Sequence, residues 1–253
     1  LPICCTKKDE GCANCYAETF SNRLNLDIWG PGKPRNYQSD KVWNNPKAWG
    51  RKAVAAGVRL RVFCGSMKDV FDDEVPAEWR ARVFQTIRAS PNLNWLLLTK
   101  RPENWEKMLP WRSMADAPDN VWLGMTTATQ RRADERLGYM RDVPAVVKFL
   151  SLEPLLGPVD VRAYGSVSDW NIWGGESGSG SRPCHEEWLR DGVTAGRETR
   201  TATFVKQLGT VYHRGGSRVR LESYKGNDTR EWPEDLRVRQ WPDAPCGLNR
   251  TAA

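Results

Sequence analysis

Residues 95–100 read Trp95-Leu96-Leu97-Leu98-Thr99-Lys100, an unbroken apolar run that ends in a hydroxyl and a cation. A strand with one wet face alternates polar and apolar residues. A strand buried on both faces does not, so this run predicts a central strand of a parallel sheet. The pattern recurs to either side. Upstream, residues 59–64 are apolar enough for a strand and end in Gly65-Ser66-Met67. Downstream, residues 121–125 end in Thr126-Thr127, residues 145–152 in Glu153-Pro154, residues 170–173 in Gly174-Gly175-Glu176-Ser177-Gly178, and residues 202–205 in Lys206-Gln207.

Helical stretches separate most of these strands, at 76–89, 102–108, 129–142 and 185–197. Two more precede them, at 16–28 and 46–56, with an extended loop rich in Gly, Pro, Asn and Trp read over 29–50. Repeated βα units give a barrel or an open doubly wound sheet. Polar residues at every strand end favour the barrel, whose strand ends converge on one mouth. A doubly wound sheet places only two such ends at its crevice. The fold class expected is therefore α/β: a partial or complete (β/α) TIM-like barrel of about six to seven parallel strands. After Gly209 the pattern breaks into a stretch rich in Arg, Gly and Pro, so 1–209 is read as the barrel domain and 210–253 as a basic C-terminal extension wrapping it.

Composition limits the function. The 253 residues carry a net charge of +7, and 13 are Trp. The apolar content excludes a disordered chain, and no apolar run is long enough for a membrane helix, so no membrane partner is expected. No signal peptide is visible and the sequence does not open on Met, so the start is read as trimmed or incomplete and the location as cytoplasmic. The positive excess points weakly to a nucleic-acid or nucleotide partner.

The 7 Cys are an odd number, and four of them, Cys4, Cys5, Cys12 and Cys15, fall near the start. Thiolates are soft ligands suited to iron–sulfur clusters and zinc. Three Cys on one loop leave one iron of a [4Fe–4S] cube open to bind a small molecule, whereas a closed zinc site wants four ligands. The readings rank as cluster, then Zn, then a Cys12–Cys15 redox pair. Cys64, Cys184 and Cys246 read as packing thiols, and His185 and His213 as non-ligands.

The segment from Cys5 through Gly11-Cys12-Ala13-Asn14-Cys15-Tyr16-Ala17-Glu18 resembles the three-Cys signature of the phage Gp37/Gp68 family, also called DUF5131. The resemblance continues through residues 63–71, 95–102, 121–124, 151–155, 174–178 and 204–207, and spans roughly residues 5–242. That family is similar in turn to radical S-adenosylmethionine enzymes of the photoproduct-lyase-like branch. Two spacings depart from that branch: six residues separate Cys5 from Cys12, and the Gly-Gly-Glu run follows a late strand.

The resemblance implies a [4Fe–4S] cluster on Cys5, Cys12 and Cys15, with S-adenosylmethionine on its open iron and an electron donor as partner. It implies cofactor-binding roles for Tyr16, Ser66, Gly174, Gly175, Glu176 and Ser177. Catalytic roles fall to Lys100, Glu153 and Lys206: Glu153 accepts from an ammonium or hydroxyl, and the lysines meet a carboxylate or phosphate. Arg131, Arg132, Arg136 and Arg141 would line one helix face as a phosphate rail, although the interspersed Asp134, Glu135 and Asp142 favour a solvated, salt-bridged face. The expected function is a phage-related radical enzyme acting on a nucleic acid or nucleotide. The alternatives are a non-enzymatic metal- or Fe–S-bearing nucleic-acid-binding protein, and a disabled barrel that works through a protein partner.

Overall fold

A computed structural model describes residues 5–243. Cys4 and Cys246 lie outside the described residues. Helix α1 (Tyr16–Arg23) and helix α2 (Asp40–Ala56) lead into strand β1 (Leu60–Cys64). Then follow α3 (Ala77–Arg88), β2 (Leu93–Thr99), α4 (Trp105–Met108), β3 (Val121–Thr126), α5 (Gln130–Asp142), β4 (Val147–Leu152) and β5 (Trp170–Gly174). A short β6 (Cys184–His185), α6 (Glu186–Thr199), β7 (Ala202–Gln207) and the hairpin β8 (Tyr212–Arg214) and β9 (Ser217–Val219) complete the order.

Six strands form one sheet in the order β1-β2-β3-β4-β5-β7, and every neighbouring pair is parallel. The order never reverses, so there is no switch point of the doubly wound kind. The sheet curls into a half-barrel, open between β1 and β7.

Alternation along each strand builds two apolar layers. Trp95, Leu97, Leu123, Met125, Leu150, Leu152, Trp173 and Val205 pack with helix residues such as Val83, Ile87, Leu137, Met140, Leu189 and Val193. Leu96, Trp122, Val147, Phe149 and Trp170 point the other way and form a separate inner cluster. This explains the unbroken apolar run at 95–98, since both faces of β2 are dry.

Several elements differ from the sequence reading. The first helix stops at Arg23, five residues early by the 16–28 reading. The expected loop over 29–50 is helical from Asp40, because α2 runs through Pro46 and buries Trp43 and Pro46 against the core. The short β6 and the β8–β9 hairpin, absent from the sequence reading, form a second three-stranded sheet. Beyond Gly209 the chain packs closely: Trp232 and Leu236 are buried, and the Gln240 N–H donates to the Thr203 carbonyl at 2.9 Å along the β7 edge. Trp241 lies 4.6 Å from the Trp170 ring, and the Arg61 guanidinium of β1 sits 3.7 Å over it. The last described residues thus bridge the two edges of the open sheet.

Candidate functional site: a three-cysteine loop across the half-barrel mouth

The loop carrying Cys5, Cys12 and Cys15 lies over the C-terminal ends of the sheet strands and is tied to the segments that follow β1, β2, β3 and β5. At β1, the Tyr16 hydroxyl donates to the Ser66 carbonyl. At β2, Arg101 Nη2 donates to the Thr6 carbonyl at 2.8 Å. A Cβ on Gly11 would lie 3.5 Å from Lys100 Cε and 3.2 Å from Ala128 Cβ, which places Lys100 directly beside the loop. After β3, Thr129 donates to Glu10 at 2.9 Å. After β5, Asn14 Nδ2 donates to Glu176 at 3.0 Å and to the Gly180 carbonyl at 2.7 Å.

The arginines of α5 serve this loop. Arg132 donates through Nε and Nη2 to the Glu10 carboxylate, at 3.0 and 2.8 Å. Arg136 is buried, donating to the Thr126 carbonyl at 2.8 Å and to Asp9. The salt-bridged reading holds on the outer face, where Arg131 and Arg132 both pair with Glu135, at 2.9 and 2.6 Å. Arg132 and Arg136 are therefore anchors rather than a phosphate rail.

The thiols are free. Cys12 is buried, with Sγ 3.8 Å from Asp9 Oδ1. Cys5 Sγ lies 3.8 Å from Arg101 Nη1, which also pairs with the buried Asp69 at 3.3 Å. Burial pushes the Cys5 thiol up to about 12, with Asp69 adding to the rise and Arg101 opposing it. Cys15 sits at the N-cap of α1 without a side-chain capping bond. Among the described residues no three His, Cys, Asp or Glu side chains are gathered to hold one metal ion. The donor set has the softness a cluster or zinc requires, on one loop, but the three sulfurs do not converge.

After β4, Lys206 Nζ donates to Glu153 Oε2 at 3.2 Å. Glu153 Oε1 is buried with no hydrogen-bond partner. Burial pushes the Glu153 acid up, against the pull of Lys206 and of the Ser151 hydroxyl. Gly174 makes room for this carboxylate, since a Cβ there would lie 2.6 Å from Oε1. Gly175 is tighter still: its Cβ would meet the Leu208 carbonyl oxygen at 2.2 Å. The Glu176 carboxylate is already engaged, accepting from Asn14 and from Arg182 N and Nε, both at 2.9 Å. Ser177 is partly exposed on the loop that follows. The sheet thus collects Lys100, Glu153, Gly174, Gly175, Glu176 and Lys206 at one end, with the thiol loop across it.

A family model, described as a protein of unknown function (DUF5131), matches residues 2–237. The chain belongs to the DUF5131 family. Neither the curated proteins nor the solved structures contain a match to it. Family membership therefore extends over the whole half-barrel and the segment that carries the β8–β9 hairpin.

Sequence reasoning missed the anchors Asp9, Glu10, Asn14, Asp69, Arg101 and Arg182. Asp9 and Glu10 stand inside the Cys5–Cys12 spacer, and Arg101 follows Lys100 directly, so proximity to the motifs was the available signal. Nothing local marks Arg182 as the partner of Glu176.

Cys64 and Cys184 are fully buried in the core, and the His185 and His213 rings meet at a tilt with centroids 4.9 Å apart. Among the described residues no helix is long and apolar enough to cross a membrane.

Proposed function

We propose that the chain is a radical S-adenosylmethionine-like iron–sulfur enzyme acting on a nucleic acid or nucleotide, in a phage-related setting. The observation that carries this reading is the loop of three free thiols pinned across the strand ends of a parallel half-barrel whose mouth also holds a buried carboxylate oxygen of Glu153. Soft thiolates suit iron–sulfur or zinc, and an orphaned carboxylate oxygen in a polar mouth suits an ammonium or hydroxyl from a small ligand.

On this reading Cys5, Cys12 and Cys15 hold the cluster. Binding has to draw the sulfurs together, a cost met from metal–ligand free energy. A cluster held by these thiols would supply one-electron chemistry toward S-adenosylmethionine and would need an electron donor as partner.

The chain's own residues do the rest. Asp9 and Glu10, held by Arg136 and Arg132, keep the loop over the mouth. Arg101 places positive charge beside Cys5 and favours its thiolate. Glu153 accepts from the ligand's ammonium or hydroxyl. Lys100 and Lys206 offer cations to a carboxylate or phosphate. Tyr16, Ser66 and Ser177 line the approach, Gly174 and Gly175 let the Glu153 carboxylate and the Leu208 backbone pack close behind it, and Glu176 fixes the wall through Arg182 and Asn14.

The test is iron and sulfide content, with electron paramagnetic resonance, on anaerobically reconstituted protein with and without S-adenosylmethionine. The expected result is about four irons per chain, lost in Cys12→Ala, and a reduced signal that shifts on adding S-adenosylmethionine. Stoichiometric zinc, or metal content indifferent to Cys12→Ala, overturns the radical reading and leaves a non-enzymatic nucleic-acid-binding protein in its place.

A further inference from the structure

The β8–β9 hairpin and the turn after it stand beside the mouth but contribute nothing to the thiol loop. Three backbones stack to fix them there. Gly209 packs on Glu176, with a Cβ at Gly209 falling 2.9 Å from the Glu176 carbonyl oxygen. Gly226 packs on Gly209 in the same way, its Cβ position lying 2.8 Å from the Gly209 carbonyl oxygen. Thr210 closes the join. Its N–H donates to the Glu176 carbonyl at 2.9 Å and its hydroxyl to the Tyr224 carbonyl at 2.7 Å. Tyr224 and Lys225 are thereby held rigidly at the rim.

What this rim presents is cationic and aromatic. Tyr224 is 62% exposed. Arg218, Arg220 and Lys225 are exposed, and among the described residues none pairs with a carboxylate. Some exposed arginines nearby do meet acids: Arg190 pairs with Asp235 and Arg230 with Asp228. In the hairpin only Arg214 does so, against Glu186. The stretch 212–226 contains one carboxylate, Glu222.

Register separates the ribbon's two faces. Tyr212 and Val219 face each other on the side where Tyr212 is buried, while His213 pairs with Arg218 on the other. Arg218 therefore projects from the face away from the core, where the His213 ring meets the His185 ring at a tilt.

We infer that the rim formed by Arg218, Arg220, Tyr224 and Lys225 is a contact surface for single-stranded nucleic acid, with Tyr224 stacking on a base and the three cations meeting phosphates. Uncompensated cations beside a rigid exposed ring are the combination such strands require. The inference rests on the nucleic-acid part of the proposed function and not on the cluster.

The test is fluorescence anisotropy of a labelled mixed-sequence DNA single strand of about 20 nucleotides, titrated with the full chain between about 50 and 200 mM salt. Removing three phosphate contacts in Arg218→Ala/Arg220→Ala/Lys225→Ala is expected to lower the salt slope by about 2. Tyr224→Ala is expected to weaken binding about tenfold with the slope kept. Lys47→Ala/Arg51→Ala/Lys52→Ala on α2 removes the same charge elsewhere and is expected to keep the slope within about 1 of the parent. Circular dichroism confirms that each variant is folded.

If the parent binds and the rim variant matches it, or if the α2 variant loses as much slope, the rim inference falls and the proposed function stands. If the parent binds neither this strand, nor its RNA equivalent, nor the duplex, the rim inference falls together with the nucleic-acid part of the proposed function, and the cluster reading is left to its own test. Tighter binding of the duplex than of the single strand, with Tyr224→Ala silent, also overturns the single-strand assignment.

Discussion

Arg136 of α5 and Asp9 of the thiol loop form a buried ion pair, Nη2 to Oδ2 2.5 Å, across 127 positions of sequence. The other Asp9 oxygen accepts from the Gly11 N–H at 2.9 Å. One carboxylate therefore shapes the loop and fastens it to the half-barrel. Breaking the pair strands an uncompensated buried charge. Arg136→Met is expected to cost about 3–5 kcal/mol in urea unfolding and to speed labelling of Cys12.

The Glu10–Arg132 tie should respond to acid. Donation from Arg132 lowers Glu10 from its usual 4.5 to about 2, with Thr129 helping and partial burial opposing. A carboxylate depressed in the folded state contributes stability above its unfolded value and loses it as pH falls through the folded one. The tie is therefore complete above 4.5 and lost toward 2. Urea midpoints compared near pH 6 and near pH 3 should fall further for the parent than for Glu10→Gln.

Adjacent glycines should give opposite results. In Gly175→Ala the new methyl meets backbone, the Leu208 carbonyl, which cannot yield cheaply. A loss of about 3 kcal/mol or more is expected. In Gly174→Ala it meets only the end of the Glu153 side chain. Stability should change by less than about 1.5 kcal/mol, while the S-adenosylmethionine-dependent spectral change is lost because the carboxylate has moved.

Arg61 and Trp241 join opposite edges of the open sheet. A double-mutant cycle with Arg61→Ala and Trp241→Ala should show a coupling of about 0.5–1 kcal/mol, read from urea unfolding. Additivity within error would mean that the two edges are not linked there.

The five described thiols should divide by place. Alanine at Cys5, Cys12 or Cys15 is expected to abolish iron incorporation. Alanine at the buried Cys64 or Cys184 should leave iron content unchanged and cost about 1–2 kcal/mol of stability, since each sits wholly within the core.

Much of this architecture was legible along the chain. Runs such as Trp95–Leu98 reveal strands dry on both faces because their periodicity is lost, a local signal. The polar residue after each run marked the mouth for the same reason. Helix α2 was shortened in the sequence reading because Pro46 suggested a start, yet burial of Trp43 and Pro46 outweighs the missing backbone donor. The hairpin β8–β9 was missed because its strands are three residues each and lie amid arginines. The salt-bridged face of α5 was legible in the arginines and Glu135, but the ties of Arg132 and Arg136 to Glu10 and Asp9 were not, because those partners lie more than a hundred residues away.

By itself the sequence determined the α/β class, the order of the strands, the end of the sheet where polar groups gather, and the three thiols as the chemically distinctive feature. Periodicity and motif spacing are local properties that need no knowledge of distant residues. Only the tertiary structure decided that the half-barrel stays open between β1 and β7, that Trp241 bridges that gap, and that α5 fastens the thiol loop across the mouth. It also decided that Glu176 is engaged by Arg182 and Asn14, while a Glu153 oxygen is left without a partner. Each of these depends on which remote side chains the folded chain brings within hydrogen-bonding reach.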